Sequence, residues 1–145
     1  NMKSVSQILE GKGYKTWSAT PKMPLFDALK MMAEKNIGSL MVLEGDKLIG
    51  VLSERDYARK VILKGKSSKD MPVEEIMSTN IVCVSPEQSI EDCMALMTEN
   101  RVRHLPVLEN DKLVGVISIG DVVKAIISEK DIMIEQLEHY IMGVP

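Results

Sequence analysis

Two phrases of the chain hold the residue types that could do chemistry: Gly50-Val51-Leu52-Ser53-Glu54-Arg55-Asp56 and Gly115-Val116-Ile117-Ser118-Ile119-Gly120-Asp121. In each, an aliphatic run ends at Ser-x-x-Asp, the spacing of a strand that turns into a helix. The serine oxygen can accept from one free helix amide while the aspartate reaches back to another, a capping box contributing on the order of 1 kcal/mol. The same first turn points unpaired N–H groups and partial positive charge outward, which suits phosphate, and a carboxylate beside it can accept from paired ribose hydroxyls. Spacing alone leaves both readings open, a plain helix cap and a nucleotide site. Outside these phrases no nucleophile and base, metal cluster or acid/base pair converges, so no enzymatic activity is expected. His104 has no cysteine or second histidine near it in sequence and reads as a polar cleft or loop residue, and no metal is expected.

The phrase is doubled because the chain is. Sliding it by 65 positions lays Pro21 to Ile62 on Pro86 to Ile127 without a gap, with about sixteen identities, among them Asp27/Asp92, Gly50/Gly115, Ser53/Ser118 and Asp56/Asp121. A shorter echo precedes it, Val5 to Leu9 against Val73 to Met77.

Each copy must supply elements that hold its phrase. Leu25, Ala28, Leu29 and Met32, and likewise Ile90, Cys93, Met94 and Met97, fall at i, i+3, i+4, i+7 and predict an amphipathic helix. Leu40 to Leu43 with Leu48 to Leu52, and Leu105 to Leu108 with Leu113 to Ile117, predict hairpins of buried strands. Closing helices follow, with Tyr57, Ala58, Val61 and Ile62 on one face in the first copy and Val122, Val123, Ile126 and Ile127 in the second. Lys15 to Ser18 and Ile81 to Val84 are expected as further strands. The order is β-α-β-β-α, an α+β fold. A copy of about 55 residues rarely buries enough apolar surface alone, so the two are expected to pack sheet against sheet with pseudo-twofold symmetry.

Composition bounds the rest. With 45% hydrophobic and 27% charged residues, a net charge of −3 and no long apolar run, the chain is expected to be compact, cytoplasmic, and neither a nucleic-acid nor a membrane binder. Cys83 and Cys93 lie in apolar patterns and are expected to be buried free thiols of a reducing compartment. No export signal is read at the start, where Asn1 before Met2 looks like a remnant of cloning. The expected division is a first repeat at 5–63, a polar linker at 64–72, a second repeat at 73–128 and a C-terminal helix at 129–145. In that helix Asp131 is a candidate cap, and Met133, Leu137 and Ile141 form a stripe that covers the core or meets a second chain.

The paired repeats, Ile76-Met77 at the opening of a copy, Arg103-His104-Leu105-Pro106-Val107-Leu108, and Gly-hydrophobic-hydrophobic-Ser-x-x-Asp in both copies together resemble a tandem of cystathionine β-synthase (CBS) domains, the Bateman module, over about Val5 to Ile127. The run from Ser53 to Val61 is similar to small stand-alone bacterial members. The resemblance implies a sensor that binds an adenine ligand without transforming it: AMP foremost, or ADP, ATP or NAD, and in some members S-adenosylmethionine. It implies two clefts between the copies, with Ser53 and Asp56 serving one and Ser118 and Asp121 the other, each aspartate on ribose and each serine near phosphate. Asn80, Ile81 and Val82 would close the first cleft over the base, and Lys15, Thr16 and Trp17 the second. Arg55 stands where the second copy has Gly120, and Gly38 where it has Arg103, next to His104, so the clefts are expected to differ in how charge reaches them. A homodimer is implied, and a regulated enzyme or transporter is a further expected partner. The competing expectation is a ligand-free dimerisation scaffold.

Overall fold

The structure, a computed structural model, describes residues 3–67 and 69–142. The expectations at Asn1 and Met2, at Ser68 of the linker and at 143–145 of the tail lie outside them.

The protein is a mixed α/β fold with two small sheets and a long final helix. Its elements are α1 (Val5–Lys12), β1 (Ser18–Ala19), α2 (Leu25–Lys35), β2 (Ser39–Glu44), β3 (Lys47–Ser53), α3 (Glu54–Tyr57), α4 (Ile90–Asn100), β4 (His104–Glu109), β5 (Lys112–Ser118) and α5 (Ile119–Met142). A π-helical turn, Ala58–Ile62, continues α3, and a 3-10 turn, Val73–Glu75, opens the second repeat.

The chain divides into two compact units that differ from the sequence repeats. Residues 15–82 with 109–114 form one, here the Asp56 unit; residues 3–14, 83–108 and 115–142 form the other, the Asp121 unit. Each repeat's leading segment therefore sits with the other repeat's helices. The hydrogen bonds that hold it are the same in both units. Leu25 N–H donates to Met71 O, Val73 N–H to Met23 O and Glu74 N–H to Pro21 O in the Asp56 unit; Ile90 to Lys3, Val5 to Gln88 and Ser6 to Pro86 are their counterparts in the Asp121 unit.

In the Asp56 unit β1 pairs parallel with β2 and β2 antiparallel with β3, with a bulge at Val42/Leu43. Leu25, Ala28 and Met32 of α2 pack with Leu40, Val42 and Leu52 of the sheet and with Val73 and Ile76 of the leading segment. In the Asp121 unit Leu9, Ile90, Met97, Leu105, Ile117 and Val122 are all but fully buried. The helix stripes and hairpins thus follow the apolar spacing.

Four local expectations are corrected. Ile81 to Val84 is not a strand beyond one parallel bridge, Val84 to Val107. Extending that ladder would need the amide of residue 106, and Pro106 has none; the first copy has Met41 there, which pairs with Ser18. Cys83 is exposed and only Cys93 buried, because chain alternation turns Cys83 out where Val84 turns in. The closing helices bury narrower stripes, Val61 in the first copy and Val122 with Ala125 in the second, leaving Ile62, Val123 and Ile127 exposed. In the first copy the π turn shifts the helical register. Finally, Asp131 caps nothing: α5 runs unbroken from Ile119 to Met142, since no glycine or proline interrupts good helix formers after Gly120. Its residues from Lys130 onward are all exposed, so the tail stripe does not cover the core.

Candidate functional site

Ser53 ends β3 and begins α3, and Ser118 ends β5 and begins α5. Both form the capping box. Asp56 N–H donates to Ser53 Oγ (3.1 Å), and the Ser53 amide and hydroxyl donate to Asp56 Oδ2 at 3.0 and 2.9 Å. In the second copy Asp121 N–H donates to Ser118 Oγ (3.1 Å) and Ser118 N–H to Asp121 Oδ2 (2.8 Å). The next amide is used as well, Glu54 N–H on Gly38 O and Ile119 N–H on Arg103 O. Two of the amides expected to face a phosphate are therefore satisfied internally in each copy, and α3 is a single turn, so side chains must add to the attraction for an anion that the remaining amide gives.

Lysines supply it, from opposite directions. At Asp56 the cation is Lys60, one turn along the same segment, its Nζ 3.4 Å from Oδ1 and donating to Ile76 O of the leading segment. The second copy has Ala125 at the position of Lys60. There Lys12 reaches over from the leading helix, placing Nζ 2.7 Å from Asp121 Oδ2 and donating to Val116 O of the motif strand at 2.9 Å. Each aspartate is thus tied to the leading segment by one ammonium. In both boxes the backbone uses Oδ2, and among the described residues no hydrogen bond reaches Asp121 Oδ1. The carboxylates are mostly covered, with 17% of the Asp56 and 23% of the Asp121 side chain exposed.

Titration follows these contacts. Burial pushes the Asp121 carboxyl up, but hydrogen bonds from Lys12 and the Ser118 amide, with the Lys12 charge, outweigh it and hold the group below its ordinary value. Burial, then the charges of Lys12 and Arg103, hold His104 below its ordinary value against the opposing pull of Asp121.

The expected site residues distribute as follows. Gly38, Ser53 and Asp56 meet in the Asp56 unit; Arg103 and His104 lie beside Ser118, Gly120 and Asp121 in the Asp121 unit. Arg55 and Arg103 are exposed. Asn80, Ile81 and Val82 belong to the Asp56 unit, running on as irregular chain from a bridge in which Val51 and Ser78 exchange both hydrogen bonds. Lys15, Thr16 and Trp17 are also in the Asp56 unit. The Trp17 ring packs on that unit's core with the ammonium groups of Lys15 and Lys35 at 4.6 and 4.2 Å from its centre.

Sequence reasoning missed Lys12 and Lys60. Lys60 is visible at i+4 from Asp56; Lys12 is 109 positions from Asp121 and gives no such signal. It also missed why the motif glycines are glycines. A Cβ on Gly115 would lie 2.7 Å from Leu9 Cδ2, and one on Gly50 2.5 Å from Met77 Sδ, so in both units a leading-segment side chain sits on bare motif backbone. Gly38 and Gly120 have ordinary room for a side chain.

Comparison with known proteins agrees with this doubled architecture. The CBS domain profile matches residues 16–63 and 73–128. The chain is 37% identical over 150 residues to the CBS domain-containing protein CBSX3, mitochondrial, of Arabidopsis thaliana, covering 97% of this chain and 72% of that one. It superposes on the crystal structure of the CBS domain protein NE2398 with a TM-score of 0.84 at 46% identity, covering 88% of this chain and 99% of that one. The CBS domain pair of protein MJ0100, in complex with 5-methylthioadenosine and S-adenosyl-L-methionine, shares the fold, with a TM-score of 0.77 at 20% identity over 89% of this chain and 99% of that one.

Proposed function

This chain belongs to the CBS-domain family, and on that premise we propose that it is a regulatory module, not an enzyme, which binds an adenosine-containing ligand through its doubled Ser-x-x-Asp turns. The observation that carries this reading is that both carboxylates exceed what a helix cap needs. A cap uses one oxygen, which is Oδ2 in each copy; that leaves Oδ1, without a hydrogen bond at Asp121 among the described residues and 3.4 Å from Lys60 Nζ at Asp56, together with an adjacent ammonium, a set that suits a ribose diol with a phosphate beside it. The adenosine compounds on the MJ0100 pair support the ligand class. AMP, ADP, ATP and NAD are the candidates, with AMP first.

In the reading, Ser53, Asp56, Gly38, Arg55 and Asn80 to Val82 serve one ligand, and Ser118, Asp121, Gly120, Arg103 and His104 another. A bound ligand shifts the protein toward whichever conformation it fits better, by its differential affinity alone. Two chains pair through α5, supported by the exposed Ile134, Leu137 and Ile141, and the output reaches a regulated enzyme or transporter. The free thiols support a cytoplasmic location. Isothermal titration with AMP, ADP, ATP and NAD tests the ligand claim: Asp56→Ala and Asp121→Ala should each remove one binding event, and unchanged binding in both sinks it.

A further inference from the structure

A groove between α1 and α5, wholly within the Asp121 unit, begins at Asp121 and runs away from the motif. It is a hollow of about 260 Å³ lined by Lys3, Gln7, Ile8, Gly11 and Lys12 on one side and Asp121, Lys124, Ala125 and Ser128 on the other. On α5 these positions fall at i, i+3, i+4 and i+7, so they share one face and extend over about 10 Å at 1.5 Å per residue. Ile8 and Ala125 are the most buried of its lining residues, at 9% and 6% exposure, and charge gathers around them. Three lysines, Lys3, Lys12 and Lys124, and one aspartate line the groove, and the Glu129 carboxylate beside it accepts from the Lys3 amide. Lys12 is held by Asp121, and Lys3 Nζ lies 3.4 Å from Ser128 Oγ. Lys124 has no ion pair among the described residues.

We propose that this groove is the polyphosphate arm of the Asp121 site, making the preferred ligand there an adenosine di- or triphosphate, or another adenosine ligand with a chain of phosphates, and not a monophosphate. The proposal rests on the reading of Asp121 as a ribose acceptor and extends it. A diol taking Asp121 competes for the carboxylate that Lys12 now holds. The freed ammonium then lies between the sugar and the groove, and Lys124 and Lys3 follow it along α5 and α1. Ammonium groups are compact point charges that suit successive phosphates, and the hydroxyl of Ser128 and amide of Gln7 add neutral donors at the rim. The pocket is too small for a second base and sugar but matches an anionic chain. At Asp56 the element that corresponds to α1 is only the 3-10 turn Val73–Glu75, and the cation, Lys60, comes from the motif's own segment.

Gly11 lines the groove and is a suitable test position, because a Cβ there would have open space, with no neighbouring side chain within 4 Å. Titrating AMP, ATP and inorganic tripolyphosphate into the Asp56→Ala protein isolates this site. ATP should bind about tenfold tighter than AMP, as expected for two or three partly screened charge contacts. That preference should fall to within about twofold in Gly11→Leu and in the Lys3→Gln/Lys124→Gln double variant, and should shrink with added salt. Thermal melts establish that both variants fold. Equal affinity for AMP and ATP with the groove intact, or a preference that survives both variants, overturns the assignment. If no adenosine ligand binds at all, the parent reading has failed and tripolyphosphate decides the groove: binding abolished by Gly11→Leu retains it as a phosphate-chain site, and absence of binding removes it.

Discussion

Lys12 Nζ lies 2.7 Å from Asp121 Oδ2 although 109 residues separate them, an ion pair that ties α1 to the second motif beside the packing of Leu9 on Gly115. Asp121's folded-state value lies below the ordinary 3.8, so its contribution to stability is full above 3.8 and is lost as pH falls through the lowered value. In Lys12→Met, burial meets only the Ser118 hydrogen bonds and the carboxyl titrates higher. Acid unfolding followed by circular dichroism should shift to higher pH in this variant; an unmoved acid midpoint would show the pair to be energetically idle.

His104 gives the opposite group type with the same sign of slope. Its folded-state value is below 6.5, so the unfolded chain takes up the proton first, and stability is full above 6.5 and declines as pH falls from there through the folded value. Melting temperature should drop over that window, and His104→Gln should flatten the drop. Because Lys12 is the largest charge lowering His104, nuclear magnetic resonance titration of Lys12→Met should find the imidazole moved up.

Gly115 and Gly120 stand five residues apart and should tolerate change very differently. Leu9, which a Cβ on Gly115 would strike, is 1% exposed and has nowhere to go. Gly115→Val should cost about 1–3 kcal/mol in urea unfolding through overpacking. Gly120→Ala, in ordinary room, should be neutral or slightly stabilising because alanine favours the helix.

The far half of α5 exposes Ile134, Leu137 and Ile141 at 53%, 55% and 78%. These fall at i, i+3, i+7 and form one apolar stripe. Analytical ultracentrifugation should find a dimer that Leu137→Glu converts to monomer, with the melting profile of the monomer otherwise retained. A monomeric wild-type chain would reject α5 as the pairing surface.

Thiol titration should separate the cysteines. Cys93 is buried, its value pushed up to about 11 by burial and then by Asp92, whereas Cys83 is exposed. An aromatic disulfide reagent should react with one thiol in the native protein and two in denaturant; two fast thiols in the native state would contradict the burial of Cys93 on the inner face of α4.

The repeat, the helix stripes and the hairpins could be read from the chain because each depends on local spacing, as Leu25, Ala28 and Met32 do in α2. The capping boxes were equally legible, since Ser53 and Asp56 are three residues apart. What escaped was set by partners distant in sequence. Cys83 looked like a core residue until the Val84 bridge fixed which way it turns, and Lys12 carried no mark of its carboxylate. Pro106 could have forewarned that the second parallel ladder stops short, because its missing amide is written in the sequence.

The traded leading segments have a consequence for cleavage. A protease cutting between residues 64 and 72 would release no free half, because the N-terminal piece contributes residues 3–14 to one body and 15–63 to the other, while the C-terminal piece likewise supplies strands of chain to both. The nicked molecule should migrate as intact under native conditions and fall into two bands only in detergent, behaving as two interlocked chains whose covalent join is dispensable once folding is done.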